Sequence, residues 1–283
     1  IKLKDKSLTF KLESRFFLSK RYRLLQHHTE IQHHTENPVH TTLRKDGITP
    51  LWIAAQNGNT EKVKLLLKDS SVDVNKARTI DGVTPLFMAA QNGHTEIVEL
   101  LIGSGADVKQ ARTDNGVTPL WIAAQKGHKE IVELLLKDSR VNVNKAETTN
   151  GRTPLWIAAQ KGHKEIVELL LKDSRVNVNK AETIDGVTPL WIAAQKGHKE
   201  IVELLLNDSR VDVNKANTTN GVTPLFMAAQ NGHTKTVELL IKKGAKVNKA
   251  NKDGITPLFM AAQNGHKTTV ELLIKKRAKV NKA

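Results

Sequence analysis

The 283-residue chain contains no cysteine. That removes both a thiol nucleophile and a disulfide framework, and it is compatible with a reducing compartment. No stretch approaches the ~18 consecutive apolar residues that would cross a bilayer. The basic start is not followed by the continuous apolar core of a secretory leader. Glycine is equally uninformative for nucleotide binding, because all 17 are committed to a pattern or its edges. Seven lie in Asp-Gly or Asn-Gly pairs (Gly47, Gly82, Gly116, Gly151, Gly186, Gly221, Gly254), and seven recur further along (Gly58, Gly93, Gly127, Gly162, Gly197, Gly232, Gly265). The last three, Gly103, Gly105 and Gly244, flank the end of a unit, so none is left to cradle a phosphate.

What the chain does contain is a repeat. A Thr-Pro-Leu triplet is followed by an aromatic residue seven times, at Trp52, Phe87, Trp121, Trp156, Trp191, Phe226 and Phe259. The prolines fall at 50, 85, 119, 154, 189, 224 and 257, in steps of 35, 34, 35, 35, 35 and 33 residues. A period of that length is one supersecondary unit stacked on the next, which predicts a solenoid rather than a globule.

The unit 150–184 shows why. Asn150-Gly151 supplies a turn, Thr153 caps a helix through its hydroxyl, and Pro154 suits the first helical position, where no amide hydrogen is needed. Leu155, Ala158 and Ala159 recur on one helical face until Gly162 ends the helix. A second helix is predicted over 164–172, with Ile166, Val167, Leu169, Leu170 and Leu171 as a broad apolar face and Glu165 and Glu168 toward solvent. Residues 176–181 then lead extended into the next Asp185-Gly186 turn, the outline of a hairpin-like finger.

These residues resemble the ankyrin repeat, whose signature runs roughly Asp-Gly-x-Thr-Pro-Leu-His-x-Ala-Ala-x-x-Gly-His before a Leu-Leu helix and a finger. The resemblance covers 46–283 as seven units: 46–80, 81–114, 115–149, 150–184, 185–219, 220–252 and 253–283. It implies an all-α repeat, an ankyrin-type solenoid of helix-turn-helix units with hairpin-like fingers. Three departures stand out. Trp or Phe replaces the histidine after Thr-Pro-Leu in every unit, so apolar packing is expected to substitute for a hydroxyl-to-imidazole bond. Five units exceed 33 residues, which is expected to lengthen the fingers. The first unit has Asn59 where the others have His94, His128, His163, His198, His233 and His266.

The resemblance further implies a concave face of fingers and first helices that binds another protein. Residues expected there are the finger positions Arg78, Ile80, Arg112, Glu147, Glu182 and Asn217. With them come the residues after the turn glycine, Val83, Val117, Arg152, Val187 and Val222. The first helices contribute the pairs Gln56-Asn57, Gln91-Asn92, Gln125-Lys126, Gln160-Lys161 and Gln195-Lys196. The plainer reading is that these positions are merely solvated. Residues 121–148 and 156–183 are identical over 28 positions, so the face repeats nearly unchanged from layer to layer. Either the partner is itself repetitive or the duplication is recent.

The net charge of +15 sits at the ends: residues 1–45 carry +6 and residues 242–283 carry +9, leaving the centre neutral. The basic C-terminal unit is read as a solvating cap, with Thr236 and Thr269 replacing isoleucine on a polar outer face. Its alternative is contact with nucleic acid or an anionic membrane. Residues 1–45 fall outside the repeat and leave three readings open: cover for the first unit, a basic partner-binding helix, or the end of an upstream region. Their His27-His28 and His33-His34 pairs do not assemble the three or four convergent ligands of a zinc site, so no metal is expected. No cofactor and no catalytic residue is expected either. The chain is thus read as a non-catalytic scaffold or adaptor, with anionic-surface binding, or service as the targeting arm of a larger enzyme or effector, as alternatives. An intracellular, cytoplasmic monomer is the accompanying expectation.

Overall fold

A computed structural model describes residues 46–280. Among the described residues there are fourteen helices and no strand. The first helices of the seven layers are α1 (Pro50–Asn57), α3 (Pro85–Asn92), α5 (Pro119–Lys126), α7 (Pro154–Lys161), α9 (Pro189–Lys196), α11 (Pro224–Gln230) and α13 (Pro257–Gln263). The second helices are α2 (Thr60–Leu66), α4 (Thr95–Gly103), α6 (Lys129–Lys137), α8 (Lys164–Lys172), α10 (Lys199–Asn207), α12 (Thr234–Lys242) and α14 (Lys267–Lys275). First helices pack on the first helices of adjacent layers, second helices on second helices, and the two of one layer on each other.

The local chemistry sets each helix. In α7 the Thr153 hydroxyl accepts the Trp156 amide at 3.2 Å, and Pro154 occupies the first helical position. The same threonine bond opens all seven first helices. Gly162 ends α7 at φ 81, a left-handed conformation that a side chain would strain. It also lacks room for one, because an added Cβ would lie 3.0 Å from the ring of His198 in the next layer. The core is a continuous column in which Leu155, Ala158 and Ala159 of α7 and Ile166, Val167 and Leu170 of α8 are buried. The alanines let neighbouring first helices approach, and each buried large aliphatic contributes roughly 1.5–3 kcal/mol.

Three expectations need correction. Residues 176–181 do not run extended: Lys180 N donates to Asn177 O, and Asn177 Oδ1 accepts the Asn179 amide, folding the segment into an Asx turn. The extra residues do not all lengthen the fingers. One widens the finger loop, which closes from Glu147 N to Arg152 O but from Asn251 N to Ile255 O in the sixth layer. The other sits after the second helix, in turns such as Asp173-Ser174-Arg175, where Arg175 folds back on Asp173 at 2.6 Å. Finally, Thr236 and Thr269 do not face outward. Both are buried, and Thr269 shares a 2.8 Å hydroxyl bond with Thr234 of the layer before, a polar contact where earlier layers carry isoleucine.

Candidate functional site: the finger and first-helix face

Recurring polar residues divide into those used between layers and those left over. The tryptophans belong to the first group. Each indole Nε1 donates to the carbonyl of the residue after the next layer's turn glycine: Trp52 to Val83 (3.0 Å), Trp121 to Arg152 (2.7 Å), Trp156 to Val187 (2.8 Å) and Trp191 to Val222 (2.9 Å). Apolar packing therefore does not stand alone in these four layers; an indole donor bridges the stack. Phe87 and Phe226 supply no such donor.

The histidines do the same on the other side of the first helix. His94, His128, His163, His198, His233 and His266 each place Nε2 within 3.0–3.2 Å of a glutamine carbonyl of the preceding layer. A carbonyl only accepts, so Nε2 carries the proton. In the first described layer Asn59 stands at this position and caps α2 by accepting the Lys62 amide at 3.0 Å.

The finger carboxylates are also consumed. Glu147 is buried and accepts the amides of Thr149 (2.6 Å), Asn150 (3.0 Å) and Arg152 (3.1 Å). Glu182 repeats this with Ile184, Asp185 and Val187, and Asn217 Oδ1 takes the Val222 amide at 2.7 Å. These three organise their own turns from inside. Val83, Val117, Val187 and Val222 are buried as well. The structure thus withdraws seven of the sequence-selected residues from the surface.

The rest remain accessible. Ile80, Asn57, Asn92, Lys126, Lys161 and Lys196 are exposed, while Gln56, Gln91, Gln125, Gln160, Gln195, Arg78, Arg112 and Arg152 are half-buried. Ile184 joins them at 61 % exposure, beside the 79 % of Ile80. Sequence reasoning passed over Ile184, although Ile-Asp-Gly recurs at 80–82 and 184–186 and marks both as finger tips.

Charge on the fingers is structured. Arg78 pairs with Asp81 and lies 5.3 Å over the Trp52 ring. Arg112 pairs with Asp114, reaches Asp81 at 3.5 Å and lies over Phe87. Burial alone would raise the Asp81 carboxyl, but the Arg78 hydrogen bond, the Val83 amide and both guanidinium charges leave it below the usual carboxylate range. Arg112 holds Asp114 low in the same way, with its side-chain bond dominant. Between the second and fourth layers this face holds a half-open pocket of about 280 Å³, lined by Phe87, Arg112, Trp121, Gln125, Glu147 and Arg152 among others. Among the described residues no group of three or more His, Asp or Glu side chains is placed to hold a metal, and no helix is long and apolar enough to cross a membrane.

The comparisons agree with this geometry. The family model described as ankyrin repeats (3 copies) matches residues 22–112, 51–146, 105–182, 139–217, 174–251 and 209–283, reaching back beyond residue 46. The human ASB11 ankyrin repeat domain is 28% identical, with 82% of this chain and 99% of that domain covered at a TM-score of 0.68. The ankyrin repeat domain of Bcl-3, described as a unique member of the IkappaB protein family, is 24% identical and shares the fold, with 81% and 100% covered at a TM-score of 0.71. A comparison with curated protein sequences gives no match. On the match of the family model over most of its length, the chain belongs to the ankyrin repeat family.

Proposed function

We propose that the chain is a non-catalytic scaffold that holds a partner protein against its fingers and first helices. The observation that carries this reading is the exposure of Ile80 (79 %) and Ile184 (61 %) on finger tips, whereas the other exposed large apolar side chains lie on α2 (Leu65) or in the last described layer (Phe259, Ile274 and Val280). Isolated exposed aliphatics are ordinary, but these two stand on the same structural position of different layers, above a row of accessible glutamine and lysine side chains. An apolar contact framed by polar groups is the usual make-up of a protein-binding patch.

The test is retention from a cell lysate at moderate salt, comparing the chain with an Ile80→Asp, Ile184→Asp double variant. A discrete protein retained by the former and lost by the latter supports the reading. Equal retention by both would move the contact elsewhere. Retention of nucleic acid only, released by added salt, would favour the basic ends instead.

A further inference from the structure

Of the three arginines on the finger face, two are neutralised and one is not. Arg78 and Arg112 have carboxylates at hand in Asp81 and Asp114. Arg152 has none: its guanidinium lies 4.5 Å over the Trp156 ring, and its Nε is buried without any hydrogen-bond partner. Its backbone is clamped, with the amide on Glu147 Oε1 and the carbonyl on the Trp121 indole. Glu147, the carboxylate in the same cavity wall, is occupied by three backbone amides. An unpaired charged N–H is costly, and Nε itself is closed off by the protein around it, so an acceptor entering the pocket that Arg152 lines meets the uncompensated charge of a half-buried guanidinium held against the ring. Arg152 also breaks the repeat, since the other six layers carry Val or Ile after the turn glycine.

A cationic row runs along the other end of the first helices. Lys126, Lys161 and Lys196 occupy the last turn of α5, α7 and α9, and all three are exposed. None of the three is in a salt bridge among the described residues. Lys126 follows Gln125 and lies one helical turn after Ile122, both of which line the cavity, so it shares their face. Stacked helices are roughly 8–10 Å apart, so the lysines recur at that interval. A polyproline II strand advances about 9.3 Å per three-residue turn and returns every third side chain to one side. The two periods match.

We propose that this face docks an extended acidic segment of the partner, with one carboxylate seated on Arg152 beside Trp156 and others, three residues apart, meeting the lysine row. The proposal rests on the reading of this face as a protein-binding surface and names what it recognises. Layers three to five are near-copies, and a partner whose carboxylates recur at a fixed interval is what near-copies can hold in register.

The probe is a synthetic peptide of five Glu-Pro-Pro triplets, its binding followed by fluorescence anisotropy at low and moderate salt beside a Gln-Pro-Pro control. Arg152→Val restores the residue type of other layers and removes an unpaired buried donor, so it is expected to fold; a denaturant midpoint verifies this. Binding of the Glu peptide alone, weakened about tenfold or more by Arg152→Val and again by Lys126→Gln/Lys161→Gln/Lys196→Gln, supports the proposal. Equal binding by the variants, equal binding of the Gln peptide, or no binding at all overturns it. In the last case the Ile80/Ile184 retention experiment shows separately whether the face still binds protein.

Discussion

Trp156 performs three tasks with one side chain: it fills the slot behind Pro154, donates its indole hydrogen to Val187 of the next layer, and offers its ring to Arg152. Trp156→Phe keeps an aromatic ring but is smaller and removes the indole donor, leaving the Val187 carbonyl with the Glu182 amide alone, and a loss of about 1–2 kcal/mol in urea-induced unfolding is expected. An unchanged unfolding free energy would mean that the carbonyl finds water instead. At this scale the threonine caps and the glycine stops were legible in the sequence, because both depend only on neighbours within a few residues. Glu147 and Glu182 were not. A carboxylate beside a turn reads as solvated until the turn closes and wraps three amide hydrogens around it.

Between elements, two devices govern the stack. One is the Asp-Ser-Arg clip after the second helices. Arg175 pairs with Asp173 and also reaches the carbonyls of Leu136, Ser139 and Val141 in the layer before, which ties it to the negative end of α6. Arg210 repeats this against Leu171, Ser174 and Val176. Hydrogen bonds from these arginines hold the Asp173 and Asp208 carboxyls below their ordinary range, and Arg140 holds Asp138 at about 2. Because the folded values are depressed, the stabilisation is present above the ordinary carboxylate range and is lost as pH falls through the lowered values. Stability measured from pH 5 down to pH 2 should therefore decline, and less steeply in an Arg175→Ala/Arg210→Ala variant. Parallel curves would show that other carboxylates dominate.

The second device is an asparagine ladder, and it has a gap. Asn75, Asn144, Asn179, Asn214 and Asn248 each bridge to the following layer by both amide ends. The second layer carries Lys109 at this position, Phe87 instead of Trp, and its third-layer neighbour Arg140 bonds only its own Asp138. An open surface cleft lined by Ile102 and Leu134 and a smaller pocket of about 200 Å³ lined by Lys109 and Val141 flank the same seam. Phe87→Trp with Lys109→Asn supplies donors toward the Val117 and Arg140 carbonyls and is expected to raise unfolding free energy by about 1–2 kcal/mol. Native-state hydrogen exchange should show the first two layers opening separately in the parent and less readily in the variant. The repeat period announced the layers but not this seam, since a substitution from Asn to Lys shows its cost only when the bridging partner is located.

For the molecule as a whole, stability is a sum over layers and their interfaces. The aromatic slot tests this directly. Phe226 is buried by the layer that follows it, whereas Phe259, in the last described layer, is 53 % exposed. Phe226→Ala is expected to cost about 3–5 kcal/mol and Phe259→Lys close to nothing. Similar losses from both, in parallel denaturant titrations, would contradict the additive description. The seven layers of the described residues were readable from proline spacing alone. Which finger residues stay exposed was not, because burial of the finger glutamates and valines depends on how adjacent layers meet.

Every bridge between layers joins a residue to its counterpart one unit away: histidine to the preceding glutamine carbonyl, tryptophan to the following finger, asparagine to the following turn. Each copy therefore carries one half of its upper joint and one half of its lower joint, and both halves travel together. Removing residues 150–184 would bring Trp121 against Val187 and Gln125 against His198, the same pairs that the chain already forms elsewhere. Unequal exchange between gene copies could thus lengthen or shorten the protein by whole units without a new joint having to evolve, so the length of the finger and first-helix face is heritable as a count.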